Sequence, residues 1–290
     1  MKRDYTVAGH TFRVVLPDAH PLWAKMRQYD PFICSSEEDP LFELELTNKL
    51  PEFQPELYFD QPTEPGETKI TIYRRGEDWY FESSCTSEAP VSMKLLTTKD
   101  FRKSLLEISD TRFSLFALNN ALMMQFAFCT VPYRTLEMHA SVIVHNGRAY
   151  LFTARSGTGK STQSRMWLES VDGAKLLNDD NPIVRVLEDG EVRVYGSPWS
   201  GKTHCYINEN YPAGAFVQIV RAPHNLAKLL PKVVGYANVY SATSGIKFDV
   251  AMGDAIHETI SRVVASVPCF ALECLPDHEA AQVCREAVEK

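Results

Sequence analysis

The sequence predicts a chain of mixed α and β structure, α+β or α/β, with a β-rich region to about residue 130 and a strand–loop–helix domain over 131–290. Three observations support this. Short β-like runs broken by turn residues fill the first hundred positions, the order changes to strand, loop, helix from Thr135 onward, and a Gly/Ser/Thr-rich loop joins an apolar run to an amphipathic stretch within Ala149–Glu169.

In the first region the runs Tyr5–Leu16, Leu41–Leu46 and Lys69–Tyr73 read as strands. Arg75-Gly76-Glu77-Asp78 turns the last of these into Trp79–Glu82, a hairpin. The Pro- and Glu-rich Pro51–Gly66 reads as a surface loop. Phe101–Phe128 turns helical, with Phe113, Leu115, Phe116, Leu118, Leu122, Met123 and Phe126 as a wide apolar stripe that would dock the two regions together.

In the second region Met138–Val144 and Ala149–Thr153 read as strands joined by His145-Asn146-Gly147-Arg148, whose Asn-Gly pair is a hairpin signal; His145 itself reads as exposed. A helix follows over Lys160–Glu169, then a strand over Ala174–Asn181. Further strands are expected at Pro182–Val186, Val192–Tyr195, Ala215–Val220 and Phe270–Cys274, and helices at Asp254–Val267 and Asp277–Lys290.

The loop Ala154-Arg155-Ser156-Gly157-Thr158-Gly159-Lys160-Ser161-Thr162 is a nucleotide-binding P-loop by its pattern and position. Its glycines let backbone N–H groups turn toward a phosphate, and a following helix adds the positive end of its dipole. Lys160 would reach the β- and γ-oxygens of ATP, and Ser161 would ligate Mg²⁺. Ala154 stands where such loops start with glycine, so that turn must form without access to positive φ.

Asp179-Asp180 ends a strand, where one carboxylate could position Mg²⁺ and the other accept the proton of an attacking hydroxyl. His139, on the strand ahead of the loop, could donate to a γ-oxygen or orient that base. Gly196–Thr203 offers a second Gly/Pro-punctuated loop, in which Lys202 could face an anion and Trp199 could stack on a ring. Arg155 and Arg221 are weaker candidates for stabilising transferred charge.

Net charge is -7 with clusters of neither Lys nor Arg, which argues against a nucleic-acid partner. The chain lacks an unbroken apolar run of membrane length and a signal-like start, so a cytoplasmic protein without a membrane partner is expected. Seven dispersed cysteines read as reduced core thiols and not as a zinc site.

Together, His139-Ala140, Ser156–Ser161 and Leu177-Asn178-Asp179-Asp180 resemble, in order and spacing, the kinase domain of bacterial HPr kinase/phosphorylase, from about Leu136 to the C-terminus. The resemblance implies a P-loop core of mixed β-sheet with flanking helices, similar to phosphoenolpyruvate carboxykinase, and an oligomer. It also implies phosphate binding by Lys160, Mg²⁺ at Ser161, Asp180 as the base that deprotonates a serine, and His139 in the family's active-site histidine position. The family's Ile-Arg-Gly-x-Gly-Ile run has no counterpart, and Gly196–Thr203 occupies the comparable region. The expectation is an ATP-dependent kinase whose hydroxyl acceptor is a protein, peptide or small molecule. Two alternatives stand beside it: a non-catalytic ATP-binding module, and a carboxykinase-like enzyme for a small carboxylic acid, for which His204 and Arg221 are the available groups.

Overall fold

The protein is described by a computed structural model that covers residues 1–290 apart from Glu37, Asp110, Ser156 and Lys202. It is mixed α and β, with two large mixed sheets and few helices. The chain forms two compact units, Met1–Cys129 and Thr130–Lys290.

The first unit begins with β1 (Lys2–Val7) and β2 (His10–Val15), a hairpin turned through Ala8 and Gly9. A short helix α1 (Leu22–Lys25) leads to β3 (Ile33–Cys34), β4 (Phe42–Thr47), β5 (Glu56–Asp60), β6 (Lys69–Arg75), β7 (Asp78–Ser84), β8 (Val91–Thr97), β9 (Lys103–Ile108) and the long helix α2 (Ser114–Thr130). The sheet runs β3-β1-β2-β4-β9-β8-β7-β6-β5, with parallel pairing only at β2–β4 and β4–β9. Alternating residues build one apolar face, onto which α2 sets Phe126 against Phe12 and Phe42, and Phe128 against Phe81 and Phe101. The Gln125 amide donates to the Phe101 carbonyl at 2.8 Å.

Three expectations for this unit need correction. The helical reading from Phe101 is wrong as far as Ile108, because Lys103–Ile108 is paired on both sides as β9. The Pro- and Glu-rich segment contains the edge strand β5, all five of whose residues are exposed and so lack apolar alternation. Within the proposed stripe Leu118, Leu122 and Phe126 are buried, but Phe113 and Phe116 are exposed. Helix α2 with the turn after it, Ser114–Tyr133, is long and apolar enough by composition to cross a membrane; 67% of its most apolar window is buried in the protein.

The second unit comprises β10 (Thr135–Glu137), β11 (Ala140–His145), β12 (Arg148–Thr153), α3 (Lys160–Ser170), β13 (Lys175–Asp180), β14 (Ile183–Val186), β15 (Val192–Tyr195), β16 (Asn210–Arg221), β17 (Leu226–Leu229), α4 (Lys232–Ala242), α5 (Val250–Ser266), β18 (Cys269–Cys274) and α6 (His278–Val288). The strand order is β10-β14-β15-β16-β12-β11-β13, with β18 also on β16 and β17 on β18. The twelve-residue β16 bridges the sheet: its first residues pair with β15, and its remainder lies parallel to β12 and β18.

Helices α3 and α6 cover one face, burying Trp167 against Tyr150 and Phe152 in a cluster with Val217, Leu272, Ala281 and Cys284. Gly235 of α4 abuts Cys269, whose odd position on β18 faces away from Leu272 and Cys274, so α4 lies on the opposite face. Asp249 and Asp277 cap α5 and α6 through their carboxylates. The Asn146-Gly147 turn adopts positive φ at both residues, as the β11–β12 hairpin requires. His145 is buried, with hydrogen bonds to the Glu289 carboxylate and the Asp172 carbonyl, and this corrects the exposed reading. All seven cysteines are free thiols.

Candidate functional site

Strands β12, β16 and β18 are mutually parallel. Strand β13 runs the same way, since β11 is antiparallel to both β12 and β13. Their C-terminal ends therefore emerge on one edge, where open α/β sheets form ligand crevices. The start of β11 meets that edge from the opposite direction. In register, Ala140 lies opposite both Thr153 and Asp180, so His139, the Gly-rich loop after Thr153 and the end of β13 are neighbours.

The loop makes its turns at Gly157 (φ 72°) and Gly159 (φ 135°), conformations costly for any residue with a Cβ. Ala154 does not adopt positive φ, so the missing first glycine leaves no strain. Thr158 N–H bonds to the Arg155 carbonyl at 3.1 Å, and Arg221 donates to the carbonyls of Thr158 (3.1 Å) and Gly157 (2.5 Å). Because carbonyl and N–H point oppositely across a trans peptide, the contact of Arg221 with the Thr158 carbonyl turns the Gly159 N–H away from Arg221. Gly159 then starts α3 without a capping side chain, a helix start of the kind whose first-turn N–H groups can receive an anion. Arg155 is exposed on the loop; Ser156 falls outside the described residues.

Lys160 is 9% exposed, and its ammonium donates to His139 Nε2 at 2.7 Å. His139 Nε2 also stands 3.4 Å from Asp180 Oδ1. One nitrogen cannot accept from Lys160 and donate to Asp180 at once. Burial and the Lys160 charge lower the His139 pKa, partly opposed by Asp180, so the imidazole is neutral and its contact with Asp180 is not an ion pair. Burial likewise lowers the Lys160 pKa, against the attraction of Asp180 and Asp179. The ammonium thus sits among partners that replace bulk water incompletely.

Asp179 points to the other face of β13, as alternation demands. Its Oδ1 accepts from Ser141 at 2.8 Å, and Ser141 is 2.6 Å from Ser164 of α3. Ser161 is three residues before Ser164 and shares its helix face, so Asp179 lies under the stripe that carries the exposed Ser161 hydroxyl. Asp179 Oδ2 is buried without a partner among the described residues. A carboxylate in that state fits a cation held jointly by a hydroxyl, an acid and phosphate oxygens. Among the described residues there is no cluster of three or more His, Cys, Asp or Glu suited to hold an ion by itself.

Asn178, fully buried, shapes the strand end. Its Oδ1 accepts from the N–H groups of Asp180 and Asn181, and its amide donates to Ser197 Oγ and the Trp199 carbonyl. The loop after β15 is thereby pinned beside Asp180, and Ser200 bridges to Asp180 through backbone pairing. Trp199 is 4% exposed, which corrects the expectation that its ring could stack on a ligand. Lys202 falls outside the described residues. Thr162 is half-buried in the first turn of α3. His204 is exposed and paired with Tyr206.

Gly201 passes so close to β13 that a Cβ there would lie 2.8 Å from the Asp179 carbonyl and 3.2 Å from Asp180 Cβ. Gly201→Ala is expected to push the loop off Asp180 and cost about 1–3 kcal/mol. Urea unfolding measures it; an unchanged midpoint and slope would contradict the close packing.

Sequence reasoning missed Glu137, Asn178 and Gln163. Glu137 closes β10, is 1% exposed, and has an Oε1 without a partner among the described residues. Burial, with a smaller push from Asp180 and an opposing bond to Ser244, raises its pKa to about 7. Between about pH 4.5 and 7 the unfolded chain loses this proton and the folded chain keeps it, so folding stability falls as pH rises. Glu137→Gln removes that loss: the variant is expected to match wild type near pH 4.5 and exceed it by about 3 kcal/mol at pH 8, by urea unfolding at both values. Equal pH dependence in the two proteins would refute a proton on Glu137. A residue-level signal for Glu137 was available only in its place two positions before His139.

No family model matches the chain, and no curated protein matches it. Among solved structures, the Hpr(Ser) kinase/phosphatase from Coxiella burnetii is similar with a TM-score of 0.31 and 14% identity, over 53% of this chain and 93% of that one. That is a distant likeness to a kinase/phosphatase.

Proposed function

We propose that the Thr130–Lys290 unit is an ATP-dependent phosphotransferase that moves the γ-phosphate to a hydroxyl of a protein, peptide or small-molecule acceptor. The observation that carries this reading is the convergence of Lys160, His139 and Asp180 beside an uncapped, glycine-turned helix N-terminus. The loop and the first turn of α3 (Gly157, Thr158, Gly159, Lys160, Ser161, Thr162) cradle the phosphates. Lys160 leaves His139 for the γ-phosphate when ATP arrives, which frees His139 Nε2 to face Asp180. Asp180, 37% exposed at the side chain, takes the acceptor's proton. Asp179 and Ser161 would hold Mg²⁺, which neutralises charge on the transferring group.

Two features separate this reading from its alternatives. A binding module needs the cradle alone, whereas here a carboxylate and an imidazole stand next to it. A carboxykinase-like reaction would draw on Arg221 and His204, but the Arg221 guanidinium is engaged by loop carbonyls and the His204 ring is paired with the Tyr206 hydroxyl. The test is ADP release from Mg·ATP by the full chain, alone and with serine peptides, free serine and sugars. Release of ADP that rises with a hydroxyl acceptor is the expected result; ATP bound without turnover across that set favours the binding module.

A further inference from the structure

The crevice edge has two unlike halves. On the β11/β13 side of the loop lie the ionisable groups, His139 and Asp180. On the β16/β18 side lies a cavity of about 330 Å³, bounded by the loop, the start of α3 and the residues that follow β16 and β18. Its apolar wall is Ile219, Cys274, Leu275 and Pro276, and among the described residues no carboxylate lines it. Leu275 is 40% exposed there, an apolar surface left open to solvent. The wall is fixed, since Asn225 accepts from Leu275 N–H at 2.9 Å and donates to Asp277, whose carboxylate also caps α6.

One polar side chain in this wall is unspent. Gln163, in the first turn of α3, is 2% exposed and lines the cavity, and its amide nitrogen has no hydrogen-bond partner among the described residues. A buried amide without a partner is costly unless a ligand supplies one. Its backbone N–H is already taken by the Gly159 carbonyl at 2.9 Å, so only the side chain can serve.

We infer that this cavity is the nucleobase subsite and that Gln163 selects adenine. The inference rests on the phosphotransferase reading and deepens it by giving the nucleotide a direction, with the γ-phosphate toward Asp180 and the base between β16 and β18. A primary amide presents an N–H donor beside a carbonyl acceptor, matching the N7 acceptor and N6 donor of adenine. Guanine presents two acceptors on that edge, and its N1–H and N2–H groups call for an acceptor such as a carboxylate. The carboxylate that follows the apolar wall, Asp277, is engaged by Asn225 and the α6 cap. A volume near 300 Å³ suits a nucleoside, and apolar walls suit the faces of its base.

Titrations of Mg²⁺ with ATP, GTP and inorganic tripolyphosphate into the full chain test this. Wild type is expected to prefer ATP over GTP by about tenfold or more. Gln163→Leu should erase that preference while holding tripolyphosphate within about twofold. Ala222→Trp, which fills the rim of the cavity without touching Gln163, should weaken ATP toward the affinity of tripolyphosphate and leave tripolyphosphate unchanged. The inference is overturned if wild type binds tripolyphosphate but treats ATP and GTP alike, or if both variants keep the wild-type preference. If neither ATP nor tripolyphosphate binds wild type, the phosphotransferase reading itself falls, and the subsite with it.

Discussion

Asp180→Asn is expected to lower phosphoryl transfer by about 10²–10⁴-fold while leaving ATP affinity within about twofold. The amide keeps the size of the carboxylate and its backbone bonds, since Asp180 N–H is held by Asn178 and its backbone pairs with Ser200. What it loses is the basic oxygen that the proposed phosphotransferase would use to take the acceptor's proton. The contact with His139 survives in form, because His139 Nε2 reaches an oxygen at 3.4 Å that the amide still supplies. The split between turnover and binding is the informative part. Both quantities measured on one preparation, by coupled ADP release and equilibrium titration, separate a base from a ligand-binding residue. A variant that turns over ATP at the wild-type rate would remove Asp180 from the chemistry.

Lys160→Ala is expected to weaken Mg·ATP binding by about 30-fold or more, the low end of what losing one member of a buried charge pair costs. Without nucleotide the effect should be small or stabilising. The ammonium is nearly buried, burial lowers its pKa, and its nearest hydrogen-bond partner is a neutral imidazole, so its removal relieves desolvation. The variant should therefore unfold at or above the wild-type temperature when apo, yet gain less from added ATP. A second consequence concerns His139. With the Lys160 charge gone, one of the two influences lowering its pKa disappears while Asp180 still raises it, so the imidazole should titrate at higher pH than in wild type. NMR of the histidine ring checks this; a lower value would contradict the placement of Lys160.

The parts of the second unit that were legible in the sequence carry local signals. Asn146-Gly147 dictated the β11–β12 hairpin through its positive φ angles, and Val192–Tyr195 was bounded by turn residues on both sides. Glycines between an apolar strand and an amphipathic stretch marked the start of α3 at Lys160. The missed elements lack such signals. Strand β5 is exposed throughout, β10 is three residues long and wholly buried, and β9 carries Leu105-Leu106 between charges in a pattern equally readable as helix. Helix α4 has Val233 and Val234 on the surface, against both β-branched propensity and amphipathic expectation.

The candidate site divides along the same line. His139, Lys160, Asp179 and Asp180 could be picked out because each belongs to a motif with a chemical reason for its spacing. What spacing could not convey is their pairing: Lys160 on His139, Asp179 turned to Ser141 under α3, and Trp199 buried with its carbonyl and N–H both bonded. Glu137 and Gln163 were invisible because an orphaned polar atom is a property of packing. Each is ordinary in sequence and becomes unusual only once its surroundings exclude water.

The central claim is that the loop from Arg155 to Thr162 is a triphosphate cradle, and calorimetric titration of Mg·ATP into the wild-type chain, followed by displacement with tripolyphosphate, tests it most directly. One ATP bound per chain and displaced by tripolyphosphate is the predicted result. Absence of binding by both at millimolar concentration, or ATP binding that tripolyphosphate cannot displace, would contradict it.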